Sequence, residues 1–136
     1  MNAIDTNVWE YAYDTREPAK RGKARELLET ATPLVLPWQV GCEFVAASRK
    51  LAVLGFTQDD AWDALEQIME LCDAIILPTP KVWDDCRELQ QVAGLHYWDA
   101  LLIAACRAGG VTRLYSEDLP AGLDLPGFEI ANPFLA

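Results

Sequence analysis

The chain has 136 residues, of which 51% are hydrophobic, and its formal net charge at pH 7 is −10. This length and composition fit a globular protein with a real core and exclude a disordered chain. The acidity argues against a protein that coats nucleic acid non-specifically.

Cysteine spacing and hydropathy set further limits on the class of protein. The four cysteines stand singly, without a CxxC pair, and are predicted to be buried free thiols rather than disulfide or zinc ligands; they are Cys42, Cys72, Cys86 and Cys106. His96 is the single histidine, which excludes a multi-histidine metal site. No apolar run approaches the roughly 20 residues of a membrane span, and the N-terminus lacks a signal core. We therefore expect a cytoplasmic protein with no membrane partner.

The first half of the chain alternates apolar runs with helical periodicity. A short strand over residues 2–4 is followed by a helical turn over residues 8–13, for which Thr6 or Asn7 can supply the cap. A helix over residues 17–30, a strand over 33–37 and a helix over 38–51 come next. The inward stripe of that last helix includes Glu43, although a buried carboxylate is costly unless it is paired or bound to metal.

The second half continues the alternation. A capping-box pattern at Thr57 and Asp60 begins a helix to about residue 72, whose inward face includes Trp62 and Met69. A strand over 74–77, a helix ending at Gly94, a helix buried nearly all round, and strands over 111–115 and 128–130 follow. The pattern predicts an α/β fold, a three-layer α/β/α domain with a mostly parallel central sheet of four or five strands.

Basic residues are concentrated in one part of this acidic chain. Five of the eleven Lys and Arg residues fall within ten positions, on the outer face of the helix predicted over 17–30: Arg16, Lys20, Arg21, Lys23 and Arg25. A solvated helix face and a phosphate-binding surface are both consistent with this pattern.

Four acids stand out by their positions. Asp5 and Asp118 follow predicted strands, Asp99 lies in the first turn of a helix, and Glu43 lies on an apolar helix face. Each alone has a structural explanation as a helix cap, as a stabiliser of a helix start, or as the partner of an arginine. Because the carboxyl ends of parallel strands share one edge of a sheet, this architecture can bring all four together.

Such a cluster of carboxylates points to a bound cation. Two carboxylates about 5 Å apart, at an effective dielectric constant near 20, repel by about 3 kcal/mol. A divalent ion removes that repulsion, and a site of oxygen ligands without histidine suits Mg²⁺ or Mn²⁺. The chemistry such ions favour is hydrolysis of a phosphate ester. We therefore predict that Asp5, Glu43, Asp99 and Asp118 are both metal-binding and catalytic.

The same residues resemble a known family. Asp5-Thr6-Asn7 after the first strand, Glu43 in the second main helix, Tyr97-Trp98-Asp99-Ala100 opening a buried helix and Ser116-Glu117-Asp118-Leu119 after the fourth strand are similar to a PIN-domain ribonuclease, and most similar to the VapC-type toxins of bacterial toxin–antitoxin systems. The resemblance covers residues 1–136 as a single PIN domain. It implies a metal-dependent endoribonuclease that cuts cellular RNA and is neutralised by a VapB-type antitoxin, as a homodimer and in a larger assembly with the antitoxin.

The resemblance also implies roles for neighbouring residues. Thr6, Asn7 and Ser116 are expected to support the acids or bound water, whereas Glu117 is expected to be peripheral. The basic residues from Arg16 to Arg25 become candidates for RNA binding. Basic residues of a second subunit could add to the attraction of RNA.

Two other readings of the sequence remain open. A catalytically silent PIN-like interaction module would have the same fold, although the presence of all four acids argues against it. A receiver-type phosphoacceptor domain would also have an acidic Mg²⁺ pocket, but it needs a lysine late in the chain, and none follows Lys81.

Overall fold

A parallel sheet of five short strands forms the centre of the molecule. The computed structural model describes residues 1–120 and 122–135. The strands are β1 (Asn2–Ile4), β2 (Val35–Pro37), β3 (Ala74–Ile76), β4 (Arg113–Tyr115) and β5 (Glu129–Ala131). Strand β1 pairs with β4, β2 with β3, and β4 with β5, all in parallel. An isolated parallel bridge between Asn2 and Leu34 joins the two parts, which gives the order β3-β2-β1-β4-β5.

Helices connect the strands. They are α1 (Thr6–Tyr11), α2 (Pro18–Thr30), α3 (Trp38–Ala47), α4 (Gln58–Leu71), α5 (Lys81–Ala93) and α6 (Tyr97–Ala108), with a 3₁₀ helix over Ser48–Leu54 after α3. The predicted α/β class with a parallel sheet is confirmed, and the arrangement is consistent with three layers. Among the described residues, no helix has the length and apolar character needed to cross a membrane.

The core is built around strand β1 and helix α6. Ala3 and Ile4 of β1 are fully buried, since β1 lies between two other strands. In α6, Ala100 and every residue from Leu102 to Cys106 are buried, which confirms the prediction of a helix enclosed nearly all round. The site residues that follow β1 and begin α6 are therefore carried by the most rigidly packed elements of the fold.

Two boundary predictions need correction. The first helix begins at Thr6, and its N-cap is Asp5, whose side chain accepts a hydrogen bond from the Thr6 amide; the prediction that Thr6 or Asn7 supplies this cap is wrong. The helix predicted over residues 38–51 divides after Ala47 into α3 and the 3₁₀ helix, which ends at Gly55 in a left-handed conformation (φ 81°). The capping box of Thr57 with Asp60 is confirmed.

One face of the molecule is less buried than predicted. Trp62 and Met69 of α4 are 53% and 39% exposed, and Cys42 of α3 is exposed rather than buried. Strand β3 lies at the edge of the sheet, and its Ile75 is 40% exposed. All four cysteines are free thiols, as predicted. Helical periodicity identified the apolar residues correctly, but it does not tell whether another element covers them.

The packing of Gly109 against the sheet edge generates a prediction. A Cβ atom at Gly109 would lie 2.6 Å from Cδ1 of Ile76 and 2.9 Å from its Cγ2, so the whole side chain would have to move. We expect Gly109→Ala to lower the free energy of unfolding by about 1–3 kcal/mol. Urea denaturation measures this change.

Gly22 provides the matched control. It lies inside α2, and no atom stands within 4 Å of a Cβ added there. Gly22→Ala is expected to raise the free energy of unfolding by about 0.5–1 kcal/mol, since alanine loses less conformational freedom than glycine in a helix. Equal effects of the two substitutions would contradict the close packing of Gly109.

Candidate active site

The pairing of β1 with β4 creates the centre of the site. Ile4 stands opposite Tyr115 in the parallel ladder, so Asp5 and Ser116 leave the sheet side by side. The Asp5 amide donates to the Tyr115 carbonyl oxygen at 2.8 Å. The Ser116 hydroxyl donates to Oδ2 of Asp5, also at 2.8 Å, and this bond is buried. The two strand ends thus fix the position of the Asp5 carboxylate.

Thr6 connects Asp5 to Glu43. The Thr6 amide donates to Oδ1 of Asp5 at 2.7 Å, and the Thr6 hydroxyl donates to Oε2 of Glu43 at 3.0 Å. Glu43 is half-buried on α3, where the sequence placed it on the inward stripe. One residue at the start of α1 therefore holds two of the predicted acids in place.

Gln39 connects Glu43 to the helix that carries Asp99. Its Nε2 donates to Oε1 of Glu43 at 2.7 Å and to the Trp98 carbonyl oxygen at 3.0 Å, in the first turn of α6. Its Oε1 is buried and has no hydrogen-bond partner in the described part of the chain. Gln39 was missed in the sequence, although it precedes Glu43 by four residues and so lies on the same face of α3.

Asn7 connects α1 to the acid that follows β4. Its Nδ2 donates to Oδ2 of Asp118 at 2.9 Å, and its Oδ1 accepts a long bond of 3.5 Å from the Glu117 amide. Thr6, Asn7 and Ser116, all expected to support the acids, each donate a hydrogen bond to one of them.

The four predicted acids line one cavity. Its volume is about 510 Å³. The residues that line it are Asp5, Thr6, Asn7, Glu10, Glu43, Ala46, Ala47, Lys50, Asp99 and Asp118. We call it the acid cavity. The structure thus brings together residues that lie as far apart in sequence as Asp5 and Asp118.

Carboxylates around the acid cavity fall into two groups. Three other carboxylates have a cationic partner, in the pairs Lys50–Glu10 (2.8 Å), Arg16–Asp14 (3.0 Å) and Lys20–Glu117 (2.6 Å). Glu10 lines the acid cavity, and Asp14 and Glu117 line an adjoining cavity. Within residues 1–120 and 122–135, none of the four predicted acids forms an ion pair. The hydrogen-bond donors to Asp5, Glu43 and Asp118 are neutral. Lys50 also lines the cavity but is paired with Glu10, so the chain compensates the negative charge of the four acids only in part.

Comparison with known proteins identifies the family. The sequence model of the PIN domain matches residues 3–119. The chain belongs to the PIN-domain family. A comparison with curated protein sequences found no match.

Solved structures with this fold include proteins of toxin–antitoxin systems. A toxin–antitoxin complex from Klebsiella pneumoniae has a TM-score of 0.69 at 15% identity, over 98% of both chains. The Mycobacterium tuberculosis toxin VapC20, which cleaves the sarcin–ricin loop, has a TM-score of 0.66 at 16% identity, over 87% of this chain and 90% of that one. VapBC2 from Rickettsia felis, bound to a DNA fragment from its promoter, has a TM-score of 0.66 at 14% identity, over 96% and 97%. These similarities confirm the predicted fold.

The basic residues of this PIN domain are only partly available to a ligand. The Lys20 ammonium, paired with Glu117, also lies 4.7 Å from the centroid of the Tyr11 ring and 5.4 Å from that of Phe134. Nε of Arg25 donates to the Ala12 carbonyl oxygen at 2.9 Å. Arg16 is held by Asp14, whereas Lys23 is exposed and Arg21 half-buried. RNA binding by these five residues stays a prediction.

Glu117 lies next to Asp118 but is held differently. It accepts hydrogen bonds from Lys20 and from the Tyr11 hydroxyl. Burial alone would raise the pKa of Glu117, but these two bonds lower it overall. This placement agrees with the expectation that Glu117 is peripheral to the acid cavity.

The electrostatics of the acid cavity are most visible at Asp5. Burial raises the pKa of this carboxyl from 3.8 to about 6, although the hydrogen bonds from Ser116 and the Thr6 amide oppose the change. The negative charges of Glu43 and Asp99 make a smaller contribution to the same increase in the pKa of Asp5. In the absence of a cation, part of the Asp5 population is thus protonated near neutral pH.

The donor set fits a hard cation that keeps its own water. Carboxylate oxygens suit Mg²⁺ or Mn²⁺. Among the described residues, no three His, Cys, Asp or Glu side chains lie close enough together to hold a metal ion between them. Mg²⁺ commonly binds through one or two carboxylates and retains several waters, so an open arrangement of acids suits it better than it suits Zn²⁺ or Ca²⁺.

Two further residues of the acid cavity were missed in the sequence. Glu10 is buried on α1, and burial raises its pKa, while the bond from Lys50 lowers it. Lys50 follows Glu43 by seven residues, about two helical turns, and that spacing was the available signal. Their pairing joins elements 40 positions apart, which periodicity does not report.

The raised pKa of Asp5 predicts how stability depends on pH without metal. Because the folded protein binds the Asp5 proton more tightly than the unfolded chain, the free energy of unfolding falls as pH rises through about 6. Asp5→Asn removes this titration. At pH 8 with a chelator, we expect the variant to be more stable than the wild type by on the order of 2–3 kcal/mol, and the gain to vanish near pH 4.

Urea denaturation at the two pH values measures the difference. Asp63→Asn, which removes the same charge from the exposed face of α4, is the control. A variant Asp5→Asn that is no more stable than the wild type at pH 8 would contradict a destabilising effect of the buried Asp5 charge.

Proposed function

We propose that this PIN domain is a Mg²⁺- or Mn²⁺-dependent endoribonuclease toxin that hydrolyses RNA phosphodiester bonds and is neutralised by a cognate antitoxin. The observation that carries the proposal is the separation of charge around the acid cavity. Asp5, Glu43, Asp99 and Asp118 line it without forming an ion pair, while Glu10, Asp14 and Glu117 in and around it are ion-paired. The solved relatives include a toxin that cleaves the sarcin–ricin loop, which supports RNA as the substrate.

The uncompensated charge favours a divalent cation. Carboxylates that lie close together in a low-dielectric cavity repel one another strongly. Where no lysine or arginine forms an ion pair with them, a bound metal ion can neutralise their charge. The cation competes with the proton at Asp5, whose pKa is about 6. Metal affinity should therefore rise with pH across the neutral range.

The chain's part in the reaction is to position charge. Bound Mg²⁺ or Mn²⁺ supplies an activated water and offsets charge on the phosphate. Ser116, Thr6 and Gln39 orient the carboxylates of Asp5 and Glu43 through hydrogen bonds that leave their charge intact. Asn7 does the same for Asp118. Asp5, Glu43, Asp99 and Asp118 are the proposed catalytic and metal-binding residues.

An exposed apolar groove with acidic residues along α4 suits a basic segment of the antitoxin. A groove of about 270 Å³ between α3, α4 and β3 is lined by Leu36, Trp38, Gly41, Cys42, Val45, Trp62, Leu65, Met69 and Ile75. The exposed acids of α4 flank it, among them Asp63, Glu66 and Glu70. We call it the α3–α4 groove. Its charge repels a second copy of this chain, so we assign the groove to the antitoxin and the proposed homodimer contact to another surface.

Two adjacent acids test the assignment of the site. Asp118 belongs to the unpaired group and Glu117 to the ion-paired group. We expect Asp118→Asn to lower Mg²⁺-dependent cleavage of total RNA by at least about 100-fold. The variant would bind the metal more weakly, and the metal would then stabilise the reacting phosphate less. Glu117→Gln should keep cleavage within severalfold of the wild type. Cleavage rates with Mg²⁺, with Mn²⁺ and with a chelator make the comparison.

The effect of Mg²⁺ on the Tm provides a second measurement on the same variants. Mg²⁺ should raise the Tm of the wild type and of Glu117→Gln by ligand linkage, and less so that of Asp118→Asn. Wild-type protein that binds Mg²⁺ but cuts no RNA would favour the silent interaction module. Equal loss of cleavage in both variants would contradict the division of the acids into two groups.

Two exposed tryptophans test the antitoxin surface. Trp62 lines the α3–α4 groove and is 53% exposed, while Trp83 of α5 is 61% exposed and lies outside it. We expect Trp62→Glu to weaken binding of the cognate antitoxin by at least about tenfold, since an aromatic side chain that the antitoxin would bury is lost. Co-expression should then fail to relieve growth arrest.

Trp83→Glu is the control and should bind the antitoxin as the wild type does. Both variants should cut RNA at the wild-type rate in the absence of antitoxin. If both substitutions weaken antitoxin binding equally, the groove is not the specific surface.

A further inference from the structure

Lys50 is the one cation that lines the acid cavity among the described residues. It also lines a second cavity of about 460 Å³, which shares Asn7, Glu10 and Asp118 with the first. Lys50 therefore stands where the two cavities meet. Arg16 lines the second cavity too, but not the acid cavity.

Glu10 holds Lys50 at this junction. The Lys50 ammonium lies 2.8 Å from Oε2 of Glu10, whose side chain is only 11% exposed, while that of Lys50 is 63% exposed. An ammonium group has three N–H donors, and Glu10 takes one of them. The buried end of the pair thus fixes the lysine, and the exposed end keeps donors for an acceptor in the cavities.

We propose that Lys50 binds a non-scissile phosphate of the RNA and guides the strand from the second cavity into the acid cavity. This inference rests on the proposed ribonuclease function and adds a substrate-binding residue to it. Glu10, Asp14 and Glu117 of the second cavity each have a cationic partner, so they repel a phosphate less than the unpaired acids do. Lys50 is the positive group at the point where the two cavities meet.

A purely structural role is the alternative for the same geometry. In that case Lys50 would only compensate the buried charge of Glu10. The two roles separate when both members of the pair are replaced. Glu10→Gln with Lys50→Gln leaves the net charge of the protein unchanged and leaves no uncompensated charge behind.

The experiment compares four proteins: the wild type, Lys50→Gln, the double variant Glu10→Gln/Lys50→Gln, and Arg49→Gln. Arg49 is the matched control, because it is the neighbouring exposed cation in the same 3₁₀ helix and does not line the acid cavity. Each is assayed with short fluorescein-labelled single-stranded RNA, by anisotropy in an Asp118→Asn background for binding and by steady-state cleavage in the active protein for kcat and KM. Urea denaturation checks stability.

We expect Lys50→Gln and the double variant to weaken RNA binding by about threefold to tenfold and to reduce the salt slope of log K by about 0.7, the value for one phosphate on a single strand. KM should rise by a similar factor with kcat nearly unchanged, since a non-scissile contact is made equally in the ground and transition states. Arg49→Gln should change none of these quantities.

Three results would overturn the inference. The double variant could regain wild-type RNA affinity, which would assign Lys50 to the compensation of Glu10 alone. Arg49→Gln could weaken binding as much as Lys50→Gln, which would indicate a general charge effect. Lys50→Gln could bind RNA as the wild type does. In each case wild-type cleavage stays intact, whereas wild-type protein that cuts no RNA would instead remove the proposed function and this inference with it.

Discussion

The hydrogen bond from Ser116 to Asp5 is the interaction on which the site depends. It exists because β1 and β4 are parallel neighbours in a register that places Ile4 opposite Tyr115. Residues 111 positions apart thus leave the sheet at one edge. Asp5 in turn starts α1, and α1 presents Thr6 to Glu43 and Asn7 to Asp118. A shift of one residue in that strand pair would send the two side chains to opposite faces and dismantle the cluster.

The concentration of negative charge in the acid cavity lowers the stability of the folded protein. Elsewhere near the cavity the chain neutralises buried carboxylates with lysine or arginine, as it does at Glu10 and Asp14. At Asp5 it supplies only neutral donors, and the raised pKa of that carboxyl measures the cost. Such local conflict is typical of functional sites, where the ligand provides the missing compensation.

Positions relative to strand and helix ends were readable in the sequence, while partners across the fold were not. Asp5, Asp118 and Asp99 could be assigned because strand ends and a first helical turn fix where a side chain goes. The bonds of Gln39 to the Trp98 carbonyl oxygen and of Lys50 to Glu10 depend on how helices pack, which local periodicity does not encode. Trp62 was expected to be buried because its spacing is that of a core residue, yet no element of the described chain covers it.

The Gln39–Trp98 bond has an electrostatic consequence for an acidic protein. It joins the first turn of α3 to the first turn of α6, where Asp99 lines the acid cavity. Each helix macrodipole places about half a positive charge at its N-terminus, spread over unpaired amide groups. The backbone thus offers positive potential at the edge of the sheet where the acids collect. About half a charge at a helix end offsets only part of the repulsion among four carboxylates, so the potential of the acid cavity stays negative, in agreement with the raised pKa of Asp5.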